Sequence, residues 1–106
     1  MMCNAEVNYS KVSTITVGTA ALLTPDVALS PTNHERVYLR LETAPSGASN
    51  VPAAVTLNAV NVPIYDKYGN IVYGNQLEEG MLLKGYFGSN GAGNTAHFIV
   101  HCVSRY

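Results

Sequence analysis

Charged side chains are scarce in this 106-residue sequence, and their scarcity constrains what the protein can contact. Asp, Glu, Lys and Arg make up 12% of the residues, about half of the roughly 25% that is usual in soluble domains. Asn, Thr, Ser, Ala and Gly take their place. Because a monomer normally keeps its surface hydrated with charged residues, this composition predicts that neighbouring molecules in an assembly cover much of the surface.

The sequence also lacks a basic run, a long apolar run and a secretory signal. Its six Lys and Arg residues are scattered singly and the net charge is −1, so no basic stripe is present to neutralise phosphates and no nucleic-acid partner is predicted. No apolar run approaches the roughly 20 residues that span a bilayer. The N-terminal MMCNAEVNYSK has no basic region followed by an apolar one. These features predict a protein without a membrane partner that is made in the cytoplasm.

Only two cysteines occur, Cys3 and Cys102, close to opposite ends of the chain. A disulfide between them is geometrically feasible if the first and last strands are neighbours, and it would close nearly the whole chain. The alternative is a pair of reduced thiols in a protein that folds in a reducing cytoplasm. The sequence leaves both alternatives open.

The dominant hydrophobic period is two, which is typical of β-strands. In RVYLRLE, Val37, Leu39 and Leu41 alternate with residues that suit an outer face. Further strands are predicted at 11–17, 53–58, 60–65, 70–73, 81–87 and 95–103, with a short one early in 18–35. Helix is disfavoured because Gly80 interrupts the best window, NQLEEGMLLKG. The pattern predicts one all-β domain over 1–106, an antiparallel β-sandwich or jelly-roll-like barrel of about seven strands.

The segment YDKYGN has the chemistry of a hairpin tip. A type I turn followed by a residue at positive φ suits it, because Gly69 adopts that conformation without a Cβ clash and the Asp66 carboxylate can cap the turn. Pro63 cannot donate to a strand ladder, so it predicts that the first arm is an edge strand or a bulge. An edge strand would allow another chain to add on.

Tyrosines around this hairpin form the one binding site that the sequence suggests. Tyr and Asn offer apolar ring faces beside hydrogen-bonding groups, which suits a protein interface or sugar stacking. Ordinary half-buried strand corners would have the same composition. The candidate partner-binding residues are Tyr65, Asp66, Tyr68, Asn70 and Tyr73.

Catalytic and metal-binding patterns do not emerge. His97 and His101 lie four apart, about 13 Å on a strand, which is too far to chelate one ion. Glu78 and Glu79 are adjacent and diverge on an extended chain, and no Gly-x-Ser-x-Gly turn is present. The Gly-rich GSNGAGN lacks the lysine of a phosphate-binding loop. We therefore expect no enzyme, cofactor, metal or small-molecule substrate.

The low charge, the segment STITVGTAALLTPDVALSPTNHERVYLRLE and the hairpin VPIYDKYGNIVYGNQL resemble small structural proteins of tailed bacteriophages, especially auxiliary or decoration proteins of the capsid. The resemblance implies a virion component, often oligomeric, that binds the major capsid protein and reinforces its lattice. A head-fibre, tail or neck protein is an alternative within this class. A small carbohydrate-binding module that uses the tyrosines is the alternative outside it.

Overall fold

The chain forms seven strands and one short 3-10 helix in a computed structural model that describes residues 7–32, 34–45, 50–57, 60–89 and 96–105. No helix in these residues is long and apolar enough to cross a membrane. The strands and the helix, in chain order, are β1 (Val7–Val17), β2 (Ala21–Pro25), β3 (Arg36–Leu41), β4 (Ala53–Leu57), β5 (Val60–Asp66), the 3-10 helix (Gly74–Gln76), β6 (Met81–Ser89) and β7 (Ala96–Arg105).

The strands close into a single barrel in the order β1-β2-β4-β5-β7-β6-β3. The prediction of an all-β barrel of about seven strands is confirmed. The pairing is mixed, however, because β1 with β3, β2 with β4, and β5 with β7 run parallel. Successive strands along the chain alternate in direction, so strands that are two apart in chain order run parallel. The barrel order makes three such pairs neighbours: β1 with β3, β2 with β4, and β5 with β7.

Two local predictions on the hairpin side are corrected. Residues 70–73 do not form a strand but make two isolated bridges, Tyr65 with Ile71 and Pro52 with Tyr73. β5 is not an edge strand, because it pairs with β4 on one side and with β7 on the other. Pro63 is tolerated because it lies opposite Ala54 on β4, one residue before the pairing with β7 begins.

Alternate residues of the strands fill the barrel with apolar side chains. Phe98 is the largest fully buried side chain, and the aliphatic residues around it are equally inaccessible. Leu77 follows the 3-10 helix and Leu29 lies in the β2–β3 connection, and both belong to the same hydrophobic cluster. We call the end with the 3-10 helix the hairpin end, since it also carries the turn after β5.

A bulge in β7 changes which side chains face inward. Gly85 lies opposite Val100, but its neighbour Lys84 lies opposite Cys102, so His101 is the extra residue. Phe98 and Val100 face the core. Beyond the bulge, Cys102 is on the outer side rather than with Phe98, and Val103 shares the side of its partner Leu83.

The condition for a disulfide between the chain ends is not met by the strand order. β1 is flanked by β2 and β3, whereas β7 is flanked by β5 and β6. Cys102 is an exposed free thiol. Cys3 lies outside the described residues.

The connection from β2 to β3 is fixed by side-chain hydrogen bonds. The buried Ser10 hydroxyl accepts a bond from the backbone N–H of Val27 at 3.0 Å. Nearer to β3, the Glu35 carboxylate accepts one from the Thr32 N–H at 2.8 Å and another from the Asn8 amide. These two donors, the Thr32 backbone first, hold the pKa of Glu35 below its usual value.

Candidate functional site

The turn after β5 has the hydrogen bonding that its sequence predicts. One Asp66 carboxylate oxygen accepts bonds from the backbone N–H groups of Tyr68 and Asn70, both at 2.9 Å. The Gly69 N–H donates to the Asp66 carbonyl at 3.0 Å, and Gly69 has a φ of 86°. The hairpin tip is therefore held by one side chain and by one residue at positive φ, as predicted.

The five predicted site residues lie around this tip in different environments. Tyr65 is half-buried, with its ring edge-on to His97 at a centroid distance of 6.2 Å. Tyr68 is 77% exposed and Tyr73 is 41% exposed. Asn70 is exposed, and Asp66 is half-buried beneath the turn. No ring contact joins any two of the three tyrosines, so they are separate contact points around the turn.

Tyr73 begins the short connection that follows the hairpin. Its N–H donates to the Gln76 side-chain oxygen at 2.7 Å, while the Gln76 N–H donates to the Tyr73 carbonyl at 3.0 Å. The next N–H, of Gly74, donates to the Val51 carbonyl at 2.8 Å. This reciprocal bonding fixes the Tyr73 backbone and positions Leu77 over the core.

An open groove of about 330 Å³ lies beside the turn at the hairpin end. The turn residues Asp66, Lys67 and Tyr68 line it together with residues 100–103 at the end of β7, where Asp66 is the register partner of Val100. The remaining lining residues are mostly apolar: Val72, Gln76, Leu77, Met81 and Leu83. The groove therefore offers an apolar interior with polar groups at its rim.

Sequence reasoning identified Asp66 and Tyr68 in this site but missed the groove and the β7 residues that line it. Val103 is 49% exposed at the groove although it belongs to an apolar run. The site combines the hairpin, the 3-10 helix connection and two strand ends that are distant in sequence. The available signal was the length of β7, which continues past the core residues Phe98 and Val100 to Arg105.

The histidines of β7 make ring contacts. His101 stacks on Tyr86 with a centroid distance of 5.0 Å, and His97 contacts Tyr65. Among the described residues, no group of three His, Cys, Asp or Glu side chains is placed to hold a metal ion. This end of the barrel offers apolar contacts and hydrogen-bonding groups.

The Asp66 carboxylate should stabilise the hairpin measurably. Because Asp66→Ala removes the acceptor for two backbone N–H groups, we expect the free energy of unfolding to fall by about 1 kcal/mol. Asp66→Asn is the matched control, since its amide oxygen can still accept both bonds, and it should lose less. Urea denaturation of the three proteins measures the difference. Equal midpoints for both variants would show that the carboxylate does not hold the turn.

Comparison of the chain with protein-family models, with curated protein sequences and with solved structures finds no match.

Proposed function

We propose that this chain is a non-catalytic virion structural protein, an auxiliary capsid protein that binds the major capsid protein lattice through its hairpin end. The observation that carries the proposal is the group of apolar side chains left exposed there. Tyr68 is 77% exposed, Val103 49%, Ile71 42% and Tyr73 41%. Tyr68 and Val103 line the groove, whose interior is also apolar, and Ile71 and Tyr73 flank its lining residue Val72 in the chain. Exposed apolar patches with polar rims are typical of protein–protein contact sites.

The composition supports an assembled protein rather than an isolated one. With 12% charged residues, the chain has few groups to keep its surface hydrated as a monomer. A repeating lattice multiplies weak contacts into high avidity, so each contact can be small. Self-association of the protein on the shell, for example around a symmetry axis, would cover further neutral surface. The resemblance to phage decoration proteins suggested the same class.

The proposal is tested by the double variant Tyr68→Ala/Tyr73→Ala. Loss of two exposed aromatic contacts should lower occupancy on purified particles at least tenfold at subsaturating concentration. The control is Tyr9→Ala, which removes an exposed tyrosine from the side of the barrel, away from the groove. It should bind the shell normally. Quantitative gel analysis of particles after density-gradient purification gives the ratio of this protein to the shell protein.

Two outcomes would contradict the proposal. Normal saturation of the shell by the hairpin variant would remove the hairpin end from the contact. Absence of the wild-type protein from particles, together with glycan binding that the hairpin variant loses, would favour a carbohydrate-binding module. The urea midpoint of each variant shows that lost binding does not come from unfolding. Light scattering shows whether the variant keeps the oligomeric state of the wild type.

A further inference from the structure

The strand order gathers the positively charged residues of the strands on one side of the barrel wall, although they are scattered along the sequence. The four adjacent strands β7, β6, β3 and β1, all described by the structure, contain five of the six Lys and Arg residues and no Asp or Glu. The other three, β2, β4 and β5, contain no Lys or Arg, and their single acidic residue is Asp66. The strands of this half of the wall therefore carry only cations, although Arg40 and Arg105 are paired with Glu42 and Glu78 outside the strands and the net charge is −1.

The cations of β1, β3 and β6 project to the outside of the barrel. Lys11 lies opposite Arg40, and Arg36 lies opposite Tyr86. Lys11 and Arg36 are exposed, and Lys84 is half-buried. Arg40 is paired with Glu42 at 3.0 Å, at the end of β3.

Three tyrosines alternate with these cations on the same outer side. Tyr9 of β1 lies opposite Tyr38 of β3, which in turn lies opposite Lys84 of β6. The Lys84 ammonium is 5.9 Å from the centroid of the Tyr38 ring, a cation–π contact. Tyr9 is 45% exposed and Tyr86 is 43% exposed. We call this outer side of β1, β3 and β6 the cationic–aromatic face.

We infer that the cationic–aromatic face binds single-stranded nucleic acid. Its cations can contact phosphates while its exposed tyrosine rings stack on unpaired bases, a combination that sheets and barrels use for single strands. Side chains that face each other on adjacent β-strands are about 5 Å apart, and diagonal ones are about 7–8 Å apart. Several tyrosine rings can therefore contact one single-stranded nucleic acid at the same time. A single strand fits better than a duplex because a duplex buries its base faces. The inference is independent of the proposed function.

The expectation of no nucleic-acid partner came from the net charge of −1 and from the scattered order of Lys and Arg along the chain. Strand pairing brings residues together that are distant in the sequence. Residue 11 lies opposite residue 40, and residue 38 lies opposite residue 84. An acidic protein surface would also complement the cations. It would not, however, require exposed tyrosine rings between them, and this difference makes the two partners separable by experiment.

Fluorescence anisotropy with labelled oligothymidylate and oligouridylate of about 15 nucleotides tests the inference on the full chain. We expect saturable binding that weakens roughly 20-fold between about 50 and about 200 mM salt, if Lys11, Arg36 and Lys84 contact phosphates. Tyr9→Ala and Tyr86→Ala should each weaken binding about tenfold. Lys84→Gln should reduce the slope of log affinity against log salt by about 0.7. Tyr68→Ala, at the hairpin end, should bind as the wild type does.

An abasic strand of the same length separates stacking from simple charge attraction. It should bind about as weakly as the tyrosine variants. Three results would overturn the inference: no anisotropy change at about 50 mM salt with about 100 µM protein, equal affinity for the abasic strand, or unchanged binding by both tyrosine variants. Displacement by polyglutamate combined with unchanged binding by the tyrosine variants would assign the face to an acidic protein surface instead. Unaltered urea midpoints show that the variants remain folded.

Discussion

Replacing Phe98 with Ala should lower the free energy of unfolding by about 3–5 kcal/mol. Phe98 is fully buried and is the largest such side chain of the described residues. Truncation would remove its apolar contacts and leave a cavity that the closed barrel can fill only in part. Since small domains are stable by only about 5–15 kcal/mol, a large fraction of the stability would be lost.

Tyr68→Ala is the matched control for the Phe98 prediction. It also truncates an aromatic residue, but one that is 77% exposed, so its effect should stay within about 0.5 kcal/mol. Urea denaturation followed by circular dichroism measures both variants. We expect the Phe98→Ala midpoint to fall with little change in the slope, and its thermal midpoint to fall by at least roughly 12 °C. Similar midpoints for the two variants would show that Phe98 is not central to the core.

The sequence predicts those parts of the fold that depend on interactions between residues close together in the chain. Residues 66–70 form the predicted turn because Asp66 and Gly69 satisfy its requirements within five residues of chain. The strand of RVYLRLE is confirmed because its apolar residues recur with the strand period. Both features follow from residues that are near one another in the sequence, and neither prediction requires knowledge of a distant contact.

The strand order and the bulge depend on distant contacts and could not be predicted. Parallel pairing of β1 with β3 brings Val7 opposite Arg36, 29 positions along the chain. The extra residue His101 gives no signal in HFIVHCV, yet it places Cys102 and Val103 on the sides opposite to those that an unbroken strand would give them. Period-two reasoning assumes an unbroken strand and therefore fails beyond any bulge.

The same distinction between local and distant contacts applies to the candidate site. The hairpin was predictable from its turn, whereas the groove beside it forms only when β7 pairs with β5 and brings residues 100–103 next to the turn. The charge separation of the wall is also a property of strand order, because cations from β1, β3 and β6 become neighbours only when the barrel closes. A surface that combines several strands is therefore visible only in the folded molecule.

Replacing Gly85 with Ala should destabilise the barrel by about 1–3 kcal/mol, a cost typical of overpacking. Gly85 is buried in β6, opposite Val100 and next to the bulge. A Cβ built there would lie 2.7 Å from Cε1 of Phe98 and closer still to the Ile99 carbonyl oxygen. Because the carbonyl belongs to the backbone, β7 itself would have to shift to admit the methyl group.

Gly18→Ala is the control for the Gly85 prediction, since a Cβ at Gly18 would meet no atom within 4 Å. Its free energy of unfolding should change by less than about 0.5 kcal/mol. Combining Gly85→Ala with Phe98→Leu removes the ring contact but keeps the clash with the Ile99 carbonyl. The double variant should therefore lose about 1 kcal/mol less than the sum of the single losses. Strict additivity in urea denaturation would show that the methyl group strains β7 through the backbone alone, whereas a stable Gly85→Ala protein would mean that the strands separate there at little cost.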